Sequence, residues 1–84
     1  MCHRNLTNVD GTIGKVFLDN RDRLLNESKS ADDIRQTVDV LFRENNISTP
    51  KSRMIQFKML GMAFNEALLY VQNIIFAADN MNVK

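Results

Sequence analysis

The C-terminal segment of the chain runs from Pro50 to Met81 and reads PKSRMIQFKMLGMAFNEALLYVQNIIFAADNM. No proline follows Pro50, and the next turn signal is Asp79-Asn80, so the pattern predicts one helix over 50–81. At about 1.5 Å per residue such a helix is roughly 45 Å long. Its length exceeds what two short helices can cover, and we therefore expect a further surface to lie against it.

Apolar residues of this segment recur at alternating steps of four and three, which is the spacing of a seam between two helices. Other apolar residues widen the stripe, so the helix has surface for two neighbours: the rest of the chain and a second copy. A monomer with a fully buried central helix is the alternative, and the small size of the chain counts against it. The predicted dimer interface consists of Phe57, Gly61, Phe64, Leu68, Val71, Ile75 and Ala78.

The charges of the predicted helix favour an antiparallel dimer. Three cations lie near its N-terminal end and Asp79 lies near its C-terminal end, and both placements oppose the helix dipole. An antiparallel partner would bring each charged end beside its opposite. The three cations are Lys51, Arg53 and Lys58.

Two shorter helices are predicted before this segment, over about 13–26 and 31–45. Each has an apolar stripe at helical spacing. Ser30 followed by two aspartates is an N-terminal capping signature, and Thr49 followed by Pro50 is another. Residues 1–11 are polar and are expected to form a flexible arm. The two stripes consist of Ile13, Val16, Phe17 and Leu24, and of Ile34, Val38, Leu41 and Phe42.

The predicted fold class is therefore all-α, a single helical domain over residues 1–84. In it two short helices pack on one long C-terminal helix and form a helical-bundle homodimer. The composition, with 44% hydrophobic and 25% charged residues, is that of a globular chain. A net charge of +1 provides no field to attract nucleic acid or an acidic membrane.

Three features of the sequence bear on the location of the protein and on membrane association. One cysteine, Cys2, excludes an intramolecular disulfide and fits a reducing cytoplasm, and the N-terminus lacks the apolar run of a secretory signal. Polar residues within the apolar window would be costly in lipid, so no membrane span is expected. We expect a cytoplasmic protein.

The residues offer little for catalysis. Cys2 and His3 are the only cysteine and histidine, and no nucleophile triad, phosphate-binding glycine loop or paired metal motif is present. No cofactor and no metal are predicted. We expect a non-enzymatic regulator that binds or inhibits a larger protein, of the antiactivator, phage-inhibitor, immunity or secretion-chaperone type. The residues expected to contact the partner, or nucleic acid, are Arg43, Lys51, Arg53 and Lys58.

The alternative is a DNA-binding regulator with a degenerate helix-turn-helix at about 34–58. Arg43 and Lys58 could reach phosphates, and the residues that would face a groove are Lys51, Ser52, Arg53 and Gln56. Three features weaken this alternative. Asn46 replaces the usual turn glycine, Ser52 occupies a position where an apolar core residue is usual, and the predicted following helix is too long.

Overall fold

The computed structural model describes the backbone of residues 3–82 and the side chains of residues 11–80. All secondary structure in this part of the chain is helical, which confirms the all-α prediction. Helices α1, α2 and α3 pack on the C-terminal helix α5, and α4 packs on α3 and α1. The helices are α1 (His3–Asp19), α2 (Arg21–Leu25), α3 (Ala31–Glu44), α4 (Pro50–Met59) and α5 (Phe64–Asn82).

The first helix differs from the prediction at both ends. Helix α1 begins at His3 instead of residue 13, so it includes most of the segment over 1–11 that was predicted as a flexible arm. The helix predicted over 13–26 is divided at Asn20, whose φ of −115° and ψ of 25° leave the helical region. Its side-chain amide donates to the carbonyl oxygen of Val16 at 2.8 Å, which supports the interruption. Cys2 and the side chain of His3 lie outside the described residues.

Helix α3 confirms its predicted cap and ends in a Schellman motif. The backbone N–H of Asp33 donates to the hydroxyl oxygen of Ser30 at 3.2 Å. At the other end Asn46 takes a left-handed φ of 57°. This allows the N–H of Ile47 to reach the carbonyl oxygen of Phe42 at 2.8 Å. Asparagine tolerates this conformation better than most residues do, so it can replace glycine here.

Helix α4 begins as predicted, with Thr49 as cap and Pro50 in the first turn. Thr49 and Ser52 form a capping box. The hydroxyl oxygen of Thr49 accepts from the N–H of Ser52 at 3.1 Å, and the hydroxyl oxygen of Ser52 accepts from the N–H of Thr49 at 2.9 Å. Ser52 is buried, and this reciprocal bonding gives its hydroxyl group a partner.

The single helix predicted over 50–81 is wrong. The chain leaves the helix after Met59, makes a turn through residues 60–63, and resumes as α5 at Phe64. Both new helix ends have partners for their backbone groups. Glu66 accepts a hydrogen bond from the N–H of Ala63 at 2.9 Å, in the manner of a residue that caps a helix start.

Arg35 on α3 stabilises the other side of this break. Its guanidinium donates to the carbonyl oxygens of Met59 at 3.1 Å and Met62 at 3.4 Å, and it is also paired with Asp32. Carbonyl groups at a helix end have no partner within the helix, so a half-buried arginine can satisfy them. The break therefore depends on a residue more than twenty positions earlier in the chain.

The core is formed by the inner sides of all five helices. The rings of Phe17 and Phe42 stack across α1 and α3 with centroids 5.8 Å apart. Helices α1 and α5 make the most extensive contact of any pair, and Gly14 packs against Ala78 there. The fully buried large side chains are Phe17, Leu24, Ile34, Val38, Leu41, Met59 and Val71.

Candidate binding surfaces

Helix α4 presents large apolar side chains to solvent. Met54, Phe57 and Leu60, at its outer side and at its end, have exposed fractions of 53%, 74% and 67%; we call these three residues the α4 face. The opposite side of the helix is buried and packs on the rest of the chain. That buried side consists of Ser52, Ile55 and Met59.

Helix α5 has a second outward apolar surface. Leu69 and Phe76 have exposed fractions of 58% and 66%, and we call this pair the α5 face. They are seven residues apart and therefore lie on one side of the helix, two turns from each other. The inner side of the helix is buried by the chain itself, through Ala67, Val71, Ile75 and Ala78.

The structure separates the seven residues of the predicted dimer seam. Phe57 and Gly61 are exposed, whereas Phe64 and Leu68 are half-buried against the core. The remaining three are buried within the chain and are not available to a partner. The seam is divided because the turn at 60–63 redirects the chain and because α1 covers the inner side of α5. The three buried residues are Val71, Ile75 and Ala78.

The four basic residues predicted to contact a partner are all exposed, but they lie in two different grooves. Arg43 and Arg53 line a groove of about 650 Å³ between α3 and α4. A hydrogen bond from Gln56 to Asp39 at 2.7 Å closes one side of this groove. Its lining is more polar than the two apolar faces, and it suits a charged or hydrogen-bonding ligand.

Lys51 and Lys58 line the second groove, which lies between α4 and α5 over α1 and has a volume of about 370 Å³. The α5 side of this groove contains Tyr70 and Asn73. Burial raises the pKa of the Tyr70 phenol above its usual value, because the charged phenolate would lose solvation there. The phenol is therefore neutral at physiological pH and can donate or accept a hydrogen bond.

Sequence reasoning did not identify Met54, Leu60, Leu69 or Phe76 as the apolar side chains that stay exposed. The heptad spacing of an unbroken helix directed attention to the side that the chain buries itself. One local signal could have corrected this: Glu66 follows Ala63 by three residues, which is the spacing of a carboxylate that caps a helix start. With the break in place, Leu60 lies in the turn after α4, and Phe64 begins α5.

Within the part of the chain that the structure describes, no group of three or more potential ligand residues is placed to hold a metal ion. Over the same residues, no helix has the length and apolar character needed to cross a membrane. Comparison of the chain with protein-family models, with curated proteins and with solved structures gives no match.

Proposed function

We propose that this chain is a non-enzymatic, cytoplasmic regulatory protein that homodimerises and binds or inhibits a larger partner protein. It would act as antiactivators, phage inhibitors, immunity proteins or secretion chaperones do, by occupying a surface. One observation carries the proposal. Among the described side chains of the α4 face and the α5 face, five large apolar ones remain exposed, although the chain has closed a core of its own.

Exposed apolar clusters of this kind favour association. Removing apolar surface from water contributes about 25 cal/mol per Å², so a largely exposed phenylalanine contributes roughly 2–3 kcal/mol when a partner covers it. Soluble proteins rarely expose clusters of large apolar side chains unless they bind something. Phenylalanine and methionine are also enriched at the centres of interfaces.

The polar groove between α3 and α4 would supply specificity for the larger partner. Arg43 and Arg53 present planar guanidinium groups that suit carboxylates on an acidic protein surface. This groove lies on the opposite flank of α4 from the groove with the two lysines. A dimer formed through the apolar faces would leave Arg43 accessible.

Replacing Phe57 and Phe76 with serine tests the apolar faces. Both side chains are mainly exposed, so helicity and stability should hardly change. We expect each replacement to weaken self-association by about 4 kcal/mol, because a homodimer contains two copies of the replaced residue; this is roughly a thousandfold in Kd in sedimentation equilibrium. Gln36→Ser, on an exposed part of α3, is the control. Unchanged association of both phenylalanine variants would contradict the proposed role of these faces.

Partner binding requires a second experiment. The tagged wild type and the tagged Arg43→Gln variant serve as baits in pull-downs from lysate of the host. Any protein that is retained is purified and titrated against both baits. The proposal expects direct binding that changes the activity of the partner and that weakens with Arg43→Gln. Binding that is equal for the two baits would remove this groove from the proposal. Retention without direct binding of the purified components would count against partner regulation itself.

DNA binding is the second candidate function. Three structural observations weaken the objections that the sequence raised against it. Asn46 has the left-handed backbone conformation that the turn requires. Ser52 is buried with its hydroxyl group hydrogen-bonded, and α4 ends at Met59 instead of continuing. Helices α3 and α4 are therefore of ordinary length for a helix-turn-helix. Against it, Met54 and Phe57 occupy the exposed side of α4 that would meet the groove.

Gel retardation with random duplex DNA at low salt separates the two candidates. A DNA-binding regulator should retard the duplex, and its affinity should fall steeply with salt as phosphate contacts are screened. An Arg43→Gln and Arg53→Gln double variant should lose about two phosphate contacts and so reduce the slope of log affinity against log salt concentration by about 2. Absence of retardation at low salt would exclude this candidate.

A further inference from the structure

Helices α4 and α5 carry opposite charges. Helix α4 contains Lys51, Arg53 and Lys58 and no acidic residue, whereas α5 contains Glu66 and Asp79 and no basic residue. All five charged side chains are exposed. The two apolar faces of the molecule therefore differ in electrostatic character, because the α4 face lies among cations and the α5 face among anions.

Each face also has one charge of the other sign at its edge. Asp39 lies beside the α4 face, where it accepts the hydrogen bond from Gln56. Arg21 lies across a shallow groove from Phe76, and its guanidinium donates to the carbonyl oxygen of Leu18 at 2.9 Å. These two edge charges are themselves opposite in sign, so they do not oppose a pairing of one face with the other.

The two faces match in length. Leu60 follows Met54 by six positions, a distance of about 9 Å along the axis of α4. Seven residues separate Leu69 from Phe76, about 10 Å along α5. Glu66 lies three residues before Leu69, so a charge marks one end of the α5 face just as Arg53 marks one end of the α4 face.

The exposed apolar area is close to what a stable dimer requires. A large apolar side chain has a surface of about 200 Å², so the five side chains of the two faces together expose on the order of 600 Å². A stable interface takes about 800 Å² from each partner. Polar and charged atoms around the faces can supply the remainder, but only if each copy contributes both faces.

We infer that a second copy of this chain covers these surfaces, with the α4 face of each copy pairing with the α5 face of the other. The inference rests on the self-association proposed above and names its geometry. A two-fold axis would create the same contact twice, as closed dimers require. Pairing α4 with α4 would instead bring like cations together, which costs association energy.

Two charge-reversal variants test this geometry. The first, Arg53→Glu with Lys58→Glu, makes the surroundings of the α4 face acidic. The second, Gln72→Lys with Asp79→Lys, makes the surroundings of the α5 face basic. Glu66 is left unchanged because it accepts the hydrogen bond at the start of α5. All four replaced side chains are exposed, so circular dichroism should report an intact fold for both variants.

Reciprocal pairing expects a distinct pattern in sedimentation equilibrium at low salt. Each variant alone places like charges at both contacts, and its dimer dissociation constant should rise about tenfold to a hundredfold. An equimolar mixture places opposite charges at both contacts and should restore a dimer of wild-type affinity. A Lys15→Glu and Lys29→Glu variant, which makes the same change in net charge as the first variant but away from both faces, should associate as the wild type does.

Three other outcomes would overturn the pairing. If the first variant alone dimerises with wild-type affinity, α4 is not at the contact. If the second variant alone does so, α5 is not at the contact. If both variants are weakened but their mixture does not recover, the two faces do not meet. In these cases wild-type dimerisation stands and only the geometry fails. A wild-type chain that stays monomeric at millimolar concentration would refute the proposed self-association itself.

Discussion

Gly14 provides the sharpest test of how α1 packs on α5. A methyl group placed at this position would lie 2.9 Å from the Cβ atom of Ala78, closer than two carbon atoms can approach without movement. Gly11, three residues earlier in the same helix, has no such neighbour within 4 Å among the residues that the structure describes. The same substitution, glycine to alanine, should therefore have different effects at the two positions.

The expected magnitudes follow from two opposing terms. Alanine is about 1 kcal/mol more favourable than glycine inside a helix. Overpacking a well-filled contact costs about 1–3 kcal/mol. Gly11→Ala should therefore stabilise the protein by about 0.5–1 kcal/mol, and Gly14→Ala should destabilise it by about 0–2 kcal/mol.

Urea unfolding followed by circular dichroism measures the difference. With a slope of about 1 kcal/mol per molar urea for a small protein, the two midpoints should differ by about 0.5–3 M. Protein concentration must be the same for all variants, because self-association also stabilises the folded chain. The double variant Gly14→Ala with Ala78→Gly removes the opposing methyl group and should recover the overpacking cost.

Equal stabilisation by Gly11→Ala and Gly14→Ala would refute this reasoning. It would show that α1 does not approach α5 at Gly14 in solution. A second contradictory result would be additivity of Gly14→Ala and Ala78→Gly. Residues in direct contact should show a coupling energy, whereas residues that are far apart should not.

Three further predictions concern single side chains. Met59→Ala should lower the free energy of unfolding by about 2–4 kcal/mol, because the side chain is fully buried. Met54→Ala should change the unfolding free energy of the monomer by less than about 0.5 kcal/mol, and thermal or urea unfolding at low protein concentration compares the two variants. Ser52→Ala should cost about 1–3 kcal/mol by removing the acceptor of the Thr49 N–H, and a loss below this range would count against the buried capping box. The pKa of Tyr70 is raised in the folded state, which therefore keeps the phenolic proton to higher pH, and the free energy of unfolding should fall as the pH rises above about 10. The phenolate absorbance should appear at higher pH in the folded chain than in the chain unfolded in urea, and equal titration midpoints would contradict burial of the phenol.

Much of the helical framework could be predicted from local sequence. Ser30 and the Thr49-Pro50 pair mark helix starts because their caps use atoms within three residues of each other. The stripe of α3 was also predictable, since Ile34 and Phe42 repeat at helical spacing and are buried as expected. Such signals survive in any tertiary environment, because they satisfy backbone groups or one helix side locally.

The candidate surfaces were only partly predictable. The exposed positions of Arg43 and Lys58 agree with a sequence pattern that places charge outside the core. The outward position of Phe57 also agrees with its predicted role, whereas Val71 lies inside the chain. A helix that is apolar on several sides does not reveal which side its own chain covers. That choice depends on where α1 lies, and α1 is more than forty residues away along the chain.

The sequence by itself determined that this chain is helical, where α3 and α4 begin, and that its C-terminal part has more apolar surface than one side of a helix needs. The spacing of Ala63 and Glu66 is a local sign of a helix start within this part, but only the tertiary structure decided that the chain breaks into two helices here, and which apolar residues remain exposed. The physical reason lies in Arg35, which donates to the carbonyl oxygens of Met59 and Met62 and so stabilises the break between α4 and α5. A hydrogen bond between residues so distant in sequence exists only after the chain has folded, and no local pattern encodes it.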